Sequence, residues 1–339
     1  MAGPQRGAWV GVHLFLDGER GEVASSGDRV LREVVGPLVR ELAAAGALAR
    51  YFFIRYAEGG PHLRLRLQPP GEHGDAIAAA LARHAHLEPE QGDEAGPFRP
   101  SRHPVLRLVR RVAYRPEIWR YGGERGVEVS EDLFHLCSEV ALELVATGEP
   151  PPPPVRAAHA VLALTVLLHA FCRDRATAVE QAQAYSREWV ASMDPGAAEP
   201  LAHQRAWQRA FELNADRQPP ALREAVATLW SALDAGDTDG APQPLARLYH
   251  GAVRIRQQLE ELTAAGGLAD PDGPLGAWQD VRRLLVSSYV HMMSNRLGIT
   301  TFQEAFTGRM LARFLEPVAV FPPTREGGSH AQEDRAQSG

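Results

Sequence analysis

A chain of 339 residues, 45% hydrophobic and 23% charged, has the composition of a globular protein and enough length to bury a substantial core. Its net charge of −6 and isoelectric point near 6.1 argue against general nucleic-acid binding. All 36 basic residues are arginine, so the arginine count carries no weight and position must.

In chain order, WVGVHLFL (9–16) alternates as a strand, and DRVLREVVGPLVRELAAAG (28–46) is an amphipathic helix ended by Gly46. The segment YFFIRYAEGGPHLRLRL (51–67) reads as a hairpin turning at Gly59-Gly60, which pairs Tyr56 with Leu63, Ile54 with Leu65 and Arg55 with Arg64. In that register Ile54, Tyr56, Leu63, Leu65 and Leu67 face the core, while Phe53, Arg55, His62, Arg64 and Arg66 share the other face. A second helix covers 74–85. After a Pro/Gly/acid-rich stretch, VLRLVRRVAYRPEIWRYGG (105–123) reads as strand with a turn at Gly122-Gly123.

SEDLFHLCSEVALELVATG (130–148) is a helix with Ser130 as N-cap, and EPPPPP (149–154) marks a linker or edge. Beyond it the chain is helical over 155–173, 176–192, 199–216, 219–235, 242–265, 275–296 and 301–316, with a polar tail over 321–339 expected to be disordered. An α+β architecture is expected: one domain over 1–320, β-rich over 8–125 as an antiparallel sheet with flanking helices, then mainly helical over 130–316. The start of the chain lacks the pattern of a signal peptide, and the longest apolar stretch, AVLALTVLLHAF from Ala160, is too short to span a bilayer. A cytoplasmic protein with no nucleic-acid and no membrane partner is therefore expected.

The two cysteines, Cys137 and Cys172, make no disulfide framework and no CxxC spacing, and no HExxH, P-loop, GxSxG or dinucleotide motif appears. No metal and no cofactor is expected. Two places carry candidate chemistry. Arg55, His62, Arg64 and Arg66 form either a solvated, internally paired face or an anion site, since a guanidinium fork binds a carboxylate through two parallel hydrogen bonds. In SSYVHMMSNRLG (287–298), Ser287, His291 and Ser294, or Ser288, His291 and Asn295, share a helical stripe. That stripe is either a buried polar patch or an acid–base site. YRPEIWRYGG adds Glu117 and Arg120, a local ion pair on its own terms.

Three segments in this order, YFFIRYAEGGPHLRLRL, YRPEIWRYGGERGVEVSEDLFHLCSEV and HMMSNRLGI, resemble the C-terminal glutamate-elimination domain of lantibiotic dehydratases, over about 8 to 316. The resemblance implies one of two activities on a ribosomally made precursor peptide. An eliminase removes glutamate from a glutamylated Ser or Thr, with Arg64 and Arg66 holding the glutamate, His291 moving protons and Arg120 as a further contact. A thiopeptide pyridine synthase of the same family joins two dehydroalanines by formal aza-cycloaddition, then loses water and the leader peptide to form the central pyridine of the macrocycle. For it Ser287, Tyr289 and His291 are the catalytic candidates, with Arg55, His62, Arg64, Arg66, Arg120, Ser288 and Asn295 binding substrate. Cys137 stands where the family has an acid beside Ser138, and Met-Met-Ser separates His291 from Asn295; both departures favour the synthase. A non-catalytic leader-peptide-binding partner of a larger assembly is the third class, reachable by strand addition at a sheet edge. Other enzymes of the pathway are further potential partners.

Overall fold

The computed structural model describes residues 6–17, 23–71, 73–88, 98–146, 148–193, 205–206, 209–210 and 219–316. Strand β1 (Val10–Leu16) leads into helix α1, which runs Val23–Val30, opens into a π turn over Leu31–Val35 and continues over Gly36–Ala44. The π turn falls where Pro37, which has no N–H to donate, enters the helix, and Gly36 N–H bonds back to Leu31 C=O. Then come β2 (Arg50–Tyr56), β3 (His62–Gln68), α2 (Gly74–His84), β4 (Phe98–Pro100), β5 (Leu106–Val112) and a 3₁₀ turn over Ile118–Tyr121.

The five strands form one antiparallel sheet in the order β2-β3-β1-β5-β4. The hairpin register differs from expectation by one residue. Ala57–Pro61 form a five-residue connection, with Gly59 and Gly60 both at positive φ, so Tyr56 pairs with His62, Ile54 with Arg64 and Phe52 with Arg66. Leu63, Leu65 and Leu67 face the core as expected, each at most 1% exposed. On β2 the faces are exchanged: Phe53 and Arg55 point to the core, and Ile54 and Tyr56 join the arginine face. A one-residue slip moves every side chain of a strand across the sheet.

The core face carries Val12, Leu14, Leu63 and Leu65 against Leu31, Val34, Val35 and Leu38 of α1. Arg55 sits in this layer beneath Gly27, where any added Cβ would meet its guanidinium. It pairs with Asp28 at 2.5 Å, and Arg156 pairs with the same fully buried carboxylate.

The helical half comprises α3 (Glu124–Ala146), α4 (Pro153–Cys172), α5 (Arg175–Met193), α6 (Pro220–Asp234), α7 (Gln243–Ala264), a two-residue pairing of β6 (Ala269–Asp270) with β7 (Gly273–Pro274), α8 (Trp278–Arg296) and α9 (Thr301–Leu315). The expected helix at 199–216 and the tail lie outside the described residues, apart from 205–206 and 209–210. Three expectations change here. Residues 113–117 are irregular and Ile118–Tyr121 form a 3₁₀ turn, not strand; α3 begins at Glu124, so Ser130 is an interior residue donating to Gly126 C=O; and the proline run starts α4 instead of separating domains. Proline suits a helix's first turn, where its missing N–H goes unneeded. One hydrophobic cluster runs from Val12 of β1 to Leu315 of α9. By length and composition α4 is apolar enough to cross a membrane, which the shorter run had not suggested, but 72% of its apolar window is buried within the fold.

Candidate active site

Strand β2 is an edge strand, and two helices supply the hydrogen bonds that a further strand would. Tyr51 N–H and C=O meet His135 Nδ1 at 3.3 and 3.0 Å, and Phe53 N–H donates to Ser138 Oγ at 3.2 Å. Asn295 closes the row: its Oδ1 accepts from Arg55 N–H at 2.8 Å and its Nδ2 donates to Arg55 C=O at 2.9 Å. Buried backbone groups demand such partners. The edge is thus capped by side chains of α3 and α8, and α8 is held against the sheet.

Helix α8 then presents neighbouring stripes. Met292 and Arg296, spaced by four, border one cavity; Ser287 and His291, also spaced by four, border another together with Ser288. The first cavity, about 90 Å³, lies on the arginine face of the sheet and is walled by Phe52, Arg64, Arg66, Tyr114, Tyr121 and Arg296, among others. Arg64 stacks its guanidinium 3.3 Å over the Tyr56 ring and donates to His62 Nε2. Arg66 donates to the carbonyls of Leu65 and Val12, and burial followed by the neighbouring Arg64 lowers its pKa to about 10. Arg296 is fully buried; its Nε donates to Ser138 Oγ, one Nη donates to Met292 C=O, and the other has no hydrogen-bond partner among the described residues. Among the described residues none of these three guanidiniums has a carboxylate partner, an electrostatic deficit that an anion or an array of carbonyls relieves.

The second cavity, about 220 Å³, is lined by Arg120, Glu188, Trp189, Ser192, Ser287, Ser288 and His291. Ser288 Oγ stands on the boundary: it accepts from Arg120 Nε at 3.2 Å and shares a 2.9 Å hydrogen bond with Tyr121 OH, while Tyr121 walls the first cavity. Ser287 Oγ accepts from Gln181 and lies 3.4 Å from Glu188. His291 packs against Trp189, with ring centroids 4.6 Å apart, and its Nδ1 meets Glu304 at 2.8 Å. Glu304 also accepts from Tyr185 OH. Burial raises the Glu304 pKa, and that of Tyr185 well above the usual phenol range.

Of the residues singled out from sequence, the fold brings Arg64, Arg66, Arg120, Ser287, Ser288 and His291 to these two adjoining cavities. Glu117, paired with Arg120 at 3.4 Å as expected, also lines the first cavity, and the others go elsewhere. Arg55 is in the core, Asn295 caps the sheet edge, and His62 supports the arginine face, buried between Phe15 and Tyr56 with its Nδ1 on Gly60 C=O. Tyr289 is fully buried, its hydroxyl on Ser130 and its ring stacked parallel to Tyr121. Two residues along a helix is about 200° of rotation, so Tyr289 points away from Ser287 and His291.

Sequence reasoning missed Arg296, Glu304 and Tyr185. Arg296 stood inside a quoted motif. Glu304 had a local signal: Thr300 and Gln303 form a capping box that starts α9 and sets Glu304 in its first turn. Tyr185 had none, because it reaches the site only through the packing of α5 on α9.

The family model described as the lantibiotic biosynthesis dehydratase C-terminal region matches residues 9–315. No curated protein matches. Among solved structures, the pyridine synthase TbtD from thiomuracin biosynthesis superposes with a TM-score of 0.62 at 17% identity, covering 91% of this chain and 97% of that one. TsrL gives 0.60 at 18% identity, covering 91% and 94%. The tRNA-dependent lantibiotic dehydratase MibB from Microbispora sp. 107891 gives 0.51 at 21% identity, covering 91% of this chain but 28% of that one. With the sheet edge, the two cavities and the match all in one region, the chain belongs to the lantibiotic biosynthesis dehydratase C-terminal family.

Proposed function

We propose that this chain is a thiopeptide pyridine synthase, acting on a ribosomally made, dehydrated precursor peptide. The observation that carries the reading is the pair of adjoining cavities: a guanidinium-lined pocket beside a cleft holding an imidazole and two oriented hydroxyls, linked by the Arg120–Ser288–Tyr121 hydrogen bonds. A reaction joining two remote residues of one chain needs both ends held at once, and positioning supplies much of its acceleration. An amide beside one dehydroalanine passes its N–H proton to its carbonyl oxygen, giving the iminol. The resulting 2-azadiene adds through its two terminal carbons across the second alkene, forming two C–C bonds that close a six-membered ring containing the amide nitrogen. Loss of water removes the iminol oxygen, and loss of the leader as its C-terminal amide completes the aromatic ring. His291 serves the proton transfers, with Ser287 and Ser288 as hydrogen-bond partners of the moving oxygen. Arg64, Arg66 and Arg120 hold peptide carbonyls or acidic groups. The fold shared with the pyridine synthase TbtD over 91% of this chain supports this reading.

A second reading, glutamate elimination, is favoured by Arg64, Arg66 and Arg296, which have no carboxylate partner among the described residues and would suit a glutamyl carboxylate. Mass spectrometry separates the two. The synthase reading expects a linear dehydroalanine peptide to yield a macrocycle and a released leader amide. Release of glutamate from a glutamylated peptide, with no cyclised product from the other substrate, overturns it.

A further inference from the structure

Glu304 is 1% exposed, yet it is an acid in the middle of a helical interface. A buried carboxylate is costly unless its lone pairs are occupied. Here Oε2 accepts from the Tyr185 hydroxyl and meets His291 Nδ1 at 2.8 Å, and the first turn of α9 favours negative charge at this position. Tyr185 is itself 2% exposed and lies 3.3 Å from the buried Ser294 Oγ. The imidazole ring is clamped from the side by Trp189, and its other edge belongs to the wall of the 220 Å³ cleft beside Ser287 and Ser288. The groups facing it are Glu304 from α9, Tyr185 and Glu188 from α5, and Arg120 from the 3₁₀ turn.

We infer that Glu304, held by Tyr185, is a positioning residue that locks the His291 proton on Nδ1 and so turns a basic Nε2 toward the cleft. This rests on the acid–base role given to His291 above and assigns the direction of its proton traffic: His291 first accepts a proton at Nε2, then returns it to a leaving group. A carboxylate on one imidazole nitrogen fixes the tautomer and stabilises the imidazolium that forms. Ser287 is not the base, because its hydroxyl already faces Glu188 and Gln181. In the reaction the proton removed from a substrate N–H or C–H goes to Nε2, leaving its electron pair on the substrate. Glu304 stays ionised throughout, and nothing is oxidised or reduced.

The test begins without substrate, so that it stands apart from the identity of the reaction. Protein labelled with ¹⁵N-histidine is titrated by NMR, and the His291 signals are assigned by their loss in His291→Gln. The wild type is expected to carry the Nδ1–H tautomer and to hold its proton about tenfold or more tightly than Glu304→Gln, in which a neutral amide replaces the charge. Tyr185→Phe is expected to keep the Nδ1–H tautomer. If Glu304→Gln does not fold, the wild-type tautomer and Tyr185→Phe decide the matter. An Nε2–H tautomer in the wild type, or an unchanged titration in Glu304→Gln, overturns the inference. With turnover in hand, the acidic limb of the kcat/KM profile should move to lower pH in Glu304→Gln by the same amount as the NMR titration, with KM little changed. A limb that stays in place while the fold is intact overturns it equally.

Discussion

Asn295 tests whether the Asn-Arg pair after His291 is machinery or framework. Its amide makes the two hydrogen bonds, 2.8 and 2.9 Å, that satisfy both backbone groups of Arg55 at the β2 edge. Asn295→Ala removes both, and water can reach only part of this interface, where the bonds are partly buried. Each backbone group left unpaired costs about 1–3 kcal/mol, so the pair should cost about 2–4 kcal/mol. At about 2.1 cal/mol/K per residue, a chain of this length unfolds with an entropy of about 0.7 kcal/mol/K, and the melting temperature should fall by about 3–6 °C. Asn295→Asp should do similar harm, because its carboxylate accepts from Arg55 N–H but repels Arg55 C=O. Differential scanning calorimetry reads the effect. Ser138→Ala, which removes the next hydrogen bond along the same edge, should combine with Asn295→Ala non-additively, since both pin β2 to the helices. An unchanged melt with loss of turnover would show that Asn295 works on substrate and that the edge-cap argument is mistaken.

Leu65→Ala, which opens a cavity beneath a fully buried side chain, should destabilise by about 2–5 kcal/mol, while Arg64→Ala should leave the melt nearly unchanged and impair turnover. The reverse ordering would place the strand in the other register. His291→Ala should slow turnover about 100- to 10,000-fold, whereas Tyr289→Phe should cost about 1 kcal/mol of stability and leave turnover intact; a crippled Tyr289→Phe would contradict its buried placement. Burial, then His62 and the arginines Arg66, Arg64 and Arg110, lower the pKa of His13 from 6.5 to about 3. The unfolded chain therefore binds the extra proton, so this contribution to stability is complete above pH 6.5 and is lost as pH falls from 6.5 towards 3. The gap sets a ceiling near 5 kcal/mol, and solvent around a partly exposed ring reduces it to about 1–2 kcal/mol. His13→Phe should flatten that part of the denaturation profile, and an unaltered slope would refute the assignment.

Much of the frame was legible in the linear chain, because it rests on local periodicity. Alternation in HLRLRL put the leucines on one face and the arginines on the other, and α8 and α9 follow from their helical spacing and, for α9, its capping box. Residue types at those spacings were enough to bring Arg64, Arg66, Ser287 and His291 under suspicion. What depends on long-range packing was not legible. The register of β2 turned on whether two or five residues make the hairpin connection, and both suit a Gly-Gly sequence; only the fit of Phe53 and Arg55 into the core beside Asp28 decides it. Asn295 looked like a site residue because an amide on a helix is equally able to bind substrate or an unpaired strand edge. The partners that give His291 its chemistry, Glu304 and Tyr185, lie 13 and 106 positions away and meet it only where α5, α8 and α9 pack together. Sequence spacing sets which residues share a face of one element, whereas the charge, burial and hydrogen-bond partner of each side chain are set by which elements that face is packed against.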